Sequence, residues 1–243
     1  METLYQQDLA FIQATGFGDF SRGAAPEIVQ LLRACEIPVR RVVEVGCGAG
    51  PLSVALVDAG FEVQGIDVSP ELLRIAQATC AKARFIEGSV YEQELPPCEA
   101  ILALGEPLTY HETGAAEVRV REFFQRAADI LPFGGMLIFD LIELGEPSLV
   151  GRFWSAGEDW AVLSETKEDQ SARTLVRSIE TFRKVGDLYR RAREVHQVRL
   201  FDSSEVCGWL EAAGFHVSTA PRYGKYQLAP RRQAFFCRRR RGE

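Results

Sequence analysis

The sequence lacks an unbroken apolar run of roughly 18 residues, the length that spans a bilayer. Its opening, METLYQQDLAFIQ, has neither the basic flank nor the apolar core of an export signal. Basic charge is scarce: 28 Lys and Arg stand against 34 Asp and Glu, a formal net charge of −6. That balance argues against nucleic acid as the main partner, because phosphate contacts need clustered cations. The one basic run, Arg238 to Arg241, reads as a solvated tail after the last strand. The six cysteines, Cys35, Cys47, Cys80, Cys98, Cys207 and Cys237, form no CxxC pair and find no histidine at zinc-ligand spacing. They read as reduced, mostly buried thiols, with no metal site. Repeats and low-complexity linkers are absent too. These absences together predict a cytoplasmic protein without a membrane partner.

What is present is an ordinary globular composition, 47% hydrophobic over 243 residues, enough for one large α/β domain or one domain with an insertion. From residue 41 the pattern alternates. Strands are expected at Arg41–Val45, Glu62–Asp67, Arg84–Glu87, Ala100–Leu104 and Met136–Leu141. Helices are expected at Pro51–Ala59 and Pro70–Cys80, each with proline in its first turn, and at the amphipathic Glu117–Ile130. Strands alternating with helices at this spacing imply a doubly wound, mostly parallel sheet. Leu4–Thr15 and Pro26–Ala34 read as preceding helices. Beyond Trp154 the pattern changes to three antiparallel strands, 161–165, 174–183 and 188–200, with a hairpin turn at 185–187. A helix over 203–213, capped by Ser203 or Ser204, and a strand pair at 215–220 and 233–237 complete the chain. The expected division is N-terminal helices over 1–40, a core over 41–151 and 201–243, and an inserted antiparallel element over 152–200.

The most informative stretch is VVEVGCGAGPLS, residues 42–53, in which a β-branched run stops at Gly46, Gly48 and Gly50 before a helical pattern begins. A dinucleotide turn has the spacing GxGxxG, its third glycine allowing helix and strand to pack closely beneath a pyrophosphate. Here the spacing is GxGxG, and Pro51 stands at the third-glycine position. Asp67, at the end of the second strand, suits both hydroxyls of a ribose. Glu44, just inside the first glycine, would repel a pyrophosphate and suits a cationic amine or sulfonium.

EVGCGAG followed by GIDVS resembles the first two motifs of the class I S-adenosylmethionine-dependent methyltransferases. The resemblance continues through Glu87-Gly88-Ser89-Val90, Ala103-Leu104-Gly105-Glu106, LPFGGMLIFDL and WLEAAGFHV. It implies a Rossmann-like α/β sheet with an antiparallel last strand, S-adenosylmethionine as cofactor and S-adenosylhomocysteine as product. Carried over by position, Gly46, Cys47, Gly48 and Gly50 would bed the methionine end. Glu44 would order the turn and the amino group. Asp67 would bind the ribose, Val68, Ser89 and Val90 the adenine, and Leu104 and Gly105 would close the other side. Ser89 departs from the aspartate common in the family. The resemblance leaves the acceptor open.

Methyl transfer is an in-line displacement, so the protein must align the acceptor, exclude water and leave the nucleophile unprotonated. Glu106, Tyr110 and His111 follow the fourth strand in GEPLTYH, the best place for such groups. Tyr110 and His111 are the catalytic candidates, His111 as base. Glu106 is a candidate to hold a cationic acceptor or the cofactor amine. His196, in EVHQVRLF, is a candidate for the acceptor pocket if its strand turns it inward. TGFGDFSRG, residues 15–23, reads as a lid. It brings Phe17 toward the acceptor and Arg22 toward the cofactor carboxylate, with Tyr5 approaching from the same side. The insertion, with Trp154 as a substrate-side candidate, is expected to wall off a small molecule, its alternative use being a homodimer interface. The function expected is methyl transfer to nitrogen or oxygen of a small-molecule acceptor. The rivals are a cofactor-binding protein without catalysis and an NAD-dependent oxidoreductase.

Overall fold

The computed structural model describes residues 4–110 and 116–241. Two helices lead in, α1 (Gln7–Gly16) and α2 (Asp19–Arg33). The alternating region gives β1 (Arg41–Val45), α3 (Pro51–Asp58), β2 (Glu62–Asp67), α4 (Pro70–Thr79), β3 (Arg84–Glu87), β4 (Ala100–Ala103), α5 (Ala116–Ile130) and β5 (Met136–Ile142). Four strands follow, β6 (Gly151–Ala156), β7 (Trp160–Asp169), β8 (Thr174–Val185) and β9 (Leu188–Arg199). The chain ends with α6 (Ser203–Ala212), β10 (Phe215–Ala220), a hairpin of β11 (Arg222–Tyr223) and β12 (Tyr226–Gln227), and β13 (Arg232–Arg239).

The main sheet has seven strands in the order β10-β13-β5-β4-β1-β2-β3, parallel except that β13 runs against both of its neighbours. Its β1 strand is buried on both faces, so Val42 and Val43 serve different cores. Val42 packs with Ile28, Leu32, Leu52 and Leu56 of α2 and α3. Val43 and Val45 pack with Val120, Phe123 and Phe124 of α5. Phe139 and Phe235 stand opposite each other in register on β5 and β13, their rings stacked 4.7 Å apart. Burying a side chain of that size stabilises by about 1.5–3 kcal/mol, so this pair fixes the antiparallel strand against the parallel ones.

The helix starts follow local chemistry. Pro51 and Pro70 occupy first-turn positions, where the missing N–H costs nothing. Ser69 caps α4 by accepting the Leu72 N–H at 3.2 Å. Helix α6 is capped by Asp202, which accepts from Ser204 and Glu205, rather than by the expected Ser203 or Ser204.

The structure corrects other expectations. The 15–23 stretch is a break only at Phe17 and Gly18, because α2 begins at Asp19, seven residues earlier than the proline at 26 suggests. The insertion holds four strands, since β6 was hidden in a segment too short to show its alternation. The C-terminal arginines are tied down: Arg238 pairs with Glu36, and Arg239 donates to the carbonyls of Ala128 and Gly214 at 2.9 Å. Among the described residues, no helix is long and apolar enough to cross a membrane.

The second sheet, in order β6-β7-β8-β9, turns one face toward α1. Leu9 and Ile12 pack there on Val162 and Ile179. Buried Asp8 holds Arg190 across this junction, with Nε donating to Oδ2 at 2.6 Å. An isolated bridge from Tyr110 to Val198 brings the end of this sheet to the loop after β4.

Candidate active site

The C-terminal ends of β1, β2 and β4 open on a cavity of about 1030 Å³, roofed by α1, α2 and Arg177 of the inserted sheet. The glycine turn forms one wall. Gly46 and Gly48 have φ of +66° and +55°, the left-handed region that favours glycine. A Cβ on Gly46 would lie 2.3 Å from Pro107 Cβ, so the turn packs directly on the segment after β4. A Cβ on Gly48 would meet nothing within 4 Å, so its bare backbone faces open cavity. Gly50 is off the wall. It precedes α3, and a Cβ there would come 3.1 Å from Ala76. Gly50 therefore serves helix packing, the role that the GxGxxG comparison gave to the position now held by Pro51.

Asp67 lines the cavity, with Oδ2 accepting the Gly48 N–H at 2.8 Å and Oδ1 the Ser69 N–H at 2.9 Å. Burial raises its pKa, and these backbone donors pull it back. Glu44 lies beneath the turn rather than on the cavity wall, accepting a hydrogen bond from Ser53 of α3. Burial pushes its carboxyl up to about 8, with the Asp67 charge adding to the rise. Cys47 lines the cavity with its thiol packed against Gly65, and burial raises its pKa well above the ordinary value, which marks it as wall and not nucleophile. Val68, Ser89, Val90, Leu104 and Gly105 all line the cavity, as their sequence positions suggest. The Ser89 hydroxyl accepts the Tyr91 N–H at 3.3 Å. Arg22 also reaches the cavity, at an exposed rim where it pairs with Asp19 at 2.9 Å.

The opposite end is built around Glu106, whose φ of +65° is unusual for a side chain of its size. Asp140 of β5 holds that conformation by accepting the Gly105 N–H at 2.8 Å, the Glu106 N–H at 3.1 Å and the Tyr223 hydroxyl at 3.0 Å. The Glu106 carboxylate is thereby placed between two arginines: Arg177 of β8 on Oε1, and Arg232 of β13 on Oε2 at 2.6 Å. Burial would raise the Glu106 pKa, but the two guanidinium charges outweigh it and keep the group ionised. Its charge is therefore already matched by Arg177 and Arg232.

Tyr110 also lines this end, its hydroxyl 3.1 Å from that of Tyr5 and 3.5 Å from Glu106 Oε1. Burial raises both phenol pKa values, so both hydroxyls stay protonated. His111 lies outside the described residues. His196 is inward-facing but does not reach the cavity. Its ring packs tilted 5.0 Å from that of Tyr5 and edge-on 5.9 Å from that of Tyr110, with Nε2 2.9 Å from Glu194 Oε2. Phe17 reaches the cavity and packs 6.0 Å from Trp160. Trp154 does not. It pairs with Leu163, which pairs with Glu180, and this puts it on the sheet face opposite Arg177, 74% exposed.

Asp140, Arg177, Arg232 and Tyr223 were not found from the sequence. Asp140 had a signal: one carboxylate inside the apolar strand MLIFDLI must find partners. Arg177 had none, sitting in a run of mixed charge that also describes a solvated face.

Residues 42–135 match the family model for a methyltransferase domain. Over 188 residues the chain is 27% identical to a protein of Geobacillus sp. (strain WCH70) that carries the name of a methyltransferase, covering 73% of this chain and 74% of that one. An S-adenosylmethionine-dependent methyltransferase from Clostridium acetobutylicum ATCC 824 shares the fold over 98% of this chain and 99% of its own, with a TM-score of 0.81 at 16% identity. CalS10, an amino pentose methyltransferase from Micromonospora echinaspora solved with S-adenosylmethionine bound, does so over 98% and 99%, with a TM-score of 0.74 at 20% identity. A parallel sheet with one reversed strand and a glycine turn beside an acidic β2 end define a Rossmann-like methyltransferase scaffold. Residues 42–135 are thus similar to a methyltransferase domain, and the chain shares its fold with class I S-adenosylmethionine-dependent methyltransferases.

Proposed function

We propose that the protein transfers a methyl group from S-adenosylmethionine to nitrogen or oxygen of a small-molecule acceptor, releasing S-adenosylhomocysteine. The observation that carries this reading is the single cavity that runs from Gly48 and Asp67 to Tyr5 and Tyr110. Pockets for one drug-sized ligand measure about 300–1,000 Å³, so a space of about 1030 Å³ suits a cofactor with a small acceptor beside it. The residues present fit the cofactor. Gly48 offers bare backbone where any side chain would fill the bed, and Asp67 offers a carboxylate to ribose hydroxyls.

The bound cofactor supplies a methyl group activated by a sulfonium. The chain's residues supply the rest. Val68 and Val90 form an apolar bed for the adenine, Ser89 offers its hydroxyl to the adenine edge, and Leu104 and Gly105 close the far side. Arg22 is the cation available to the cofactor carboxylate. Glu44, protonated when its surroundings are neutral, gains a reason to ionise when an ammonium group arrives above the turn. Tyr5 and Tyr110 present protonated hydroxyls that orient the acceptor atom, and Phe17 and Phe20 exclude water around it. His111, next in the chain after Tyr110, is the candidate to take the acceptor's proton.

Calorimetry with S-adenosylhomocysteine tests the cofactor site. The wild type should bind, and Asp67→Ala should bind at least tenfold more weakly, the loss expected from about 1.5–3 kcal/mol per charged hydrogen bond. Equal affinity in the two proteins would refute the assignment. Removing the base should act differently: His111→Ala should lower kcat, leave S-adenosylhomocysteine affinity unchanged and abolish the acid limb of the rate profile. An unchanged profile would exclude His111 as the base.

A further inference from the structure

We infer that the acceptor carries an oxyanion, a carboxylate or a phosphate, and that Arg177 and Arg232 bind it and so determine specificity. This rests on the methyl-transfer reading and adds the charge of its substrate. The two arginines come from different sheets, β8 and β13, and converge on one carboxylate. Each guanidinium presents a planar fork of several N–H donors, a shape that matches carboxylate or phosphate two bonds at a time. Each spends one hydrogen-bonding nitrogen on Glu106. Arg232 also stands 3.6 Å from Asp140 Oδ1, but the Asp140 oxygens already accept from Gly105, Glu106 and Tyr223. No other hydrogen bond from either guanidinium to a described residue is present. Neither arginine has a nitrogen that is both sealed off and unpartnered. Both line the cavity, so the unspent donors open onto it.

Neutralising Glu106 does not require this arrangement. One arginine would balance Glu106; the second also answers the charge of Asp140, 3.6 Å from Arg232, yet bringing each guanidinium out of water costs several kcal/mol before any pairing. Arg177 and Arg232 keep 23% and 19% side-chain exposure, and both line the cavity. With Glu106 and Asp140 balancing the pair, the acceptor end is close to neutral until the sulfonium of the cofactor adds positive charge. An incoming cation would then meet like charge in a poorly screened space, and an anion would meet its complement. Nearby walls suit the rest of the molecule. Tyr5, Tyr110, Phe17 and Phe20 supply aromatic faces, and Arg232 lies over the Phe20 ring at 5.6 Å. The acceptor class is therefore an organic acid or phosphate ester with an apolar body, its nucleophile held at the tyrosine pair and its anion on the arginines.

The test uses the full chain saturated with S-adenosylhomocysteine and three probes: 4-hydroxybenzoate, phenyl phosphate and 4-hydroxybenzamide. Calorimetry should show at least one anion binding tenfold or more tightly than the neutral amide, and the tighter of the two identifies the oxyanion. Arg177→Gln should erase the preference while binding S-adenosylhomocysteine as the wild type does, and Arg177→Lys should keep part of it. Arg232→Gln should behave likewise. If it does not fold, Arg177→Gln alone decides. Amide binding equal to that of the anions, no anion binding at all, or an undiminished preference in Arg177→Gln overturns the inference. Failure of the wild type to bind S-adenosylhomocysteine would instead strike the methyl-transfer reading beneath it.

Discussion

Glu44 and Asp67 are two carboxylates beside one glycine turn, and their surroundings give them different work. Asp67 keeps backbone donors on both oxygens and faces the cavity, while Glu44 accepts from the Ser53 hydroxyl and is buried beneath the turn. The raised value near 8 for Glu44 makes a pH prediction. In the unfolded chain it would titrate in the ordinary carboxyl range. Between that range and about 8 the folded state holds a proton that the unfolded state has lost, so stability falls as pH rises across this window. The contribution is fully present below the unfolded value and gone above the folded one. Thermal melts of the free protein should therefore show a decline from pH 5 to pH 8 that is shallower in Glu44→Gln, and parallel curves for the two proteins would refute it. Local spacing made Gly46, Gly48 and Asp67 legible, because a strand, a turn and the next strand are fixed by about 25 residues of chain. Arg177 and Arg232 were not legible. They reach Glu106 across 71 and 126 residues, and nothing near them in sequence records that meeting.

Elements differ in the same way. The βα units were readable because each has its own punctuation, a glycine stop or a proline start, and Arg41–Val45, Glu62–Asp67 and Arg84–Glu87 fall where the pattern puts them. The inserted strands alternate polar and apolar residues, but alternation gives two faces without saying which is inside. Trp154 and Arg177 therefore exchanged sides relative to expectation. The N-terminal segment was harder still, since its position depends on Glu194 of β9. That carboxylate accepts the Tyr5 N–H at 2.8 Å and the Gln6 N–H at 2.9 Å, and His196 holds Oε2 at 2.9 Å. Ser69 donates to the Tyr5 carbonyl at 2.8 Å, so a β9 carboxylate and an α4 cap together set a residue with φ of +52°. Glu194→Ala should release this latch. Hydrogen bonds to a charged acceptor are worth about 1.5–3 kcal/mol each, so amide exchange at Tyr5 and Gln6 should accelerate tenfold or more, with little change in the amides of β1 and β4. Exchange rates equal to wild type at both positions would show that α1 packing alone holds the segment.

For the whole molecule, the cavity is the place where otherwise separate parts meet. Its wall takes Tyr5 and Phe17 from the N-terminal region, Gly48 and Asp67 from the parallel strands, Arg177 from the inserted sheet and Arg232 from the reversed strand. The inserted sheet also has its own hold on the body through Leu9 and Ile12 against Val162 and Ile179, and through Asp8 against Arg190. An arrangement so connected should unfold as one unit and respond to ligand as one unit. A ligand at a hundred times its Kd stabilises the native state by about 2.7 kcal/mol. For a chain of this length each kcal/mol moves Tm by about 2–4 °C. S-adenosylhomocysteine at that excess should therefore raise a single melting transition by roughly 5–10 °C. Asp67→Ala at the same ligand concentration should show little of that rise, whereas Arg177→Gln should show all of it, because Arg177 faces the acceptor and not the cofactor. Two separate transitions, with only one responding, would mean that the inserted sheet melts independently and that the cavity roof is a loosely attached part. A single transition that rises in wild type and Arg177→Gln but not in Asp67→Ala would place the cofactor where the glycine turn puts it and assign both sheets to one cooperative fold.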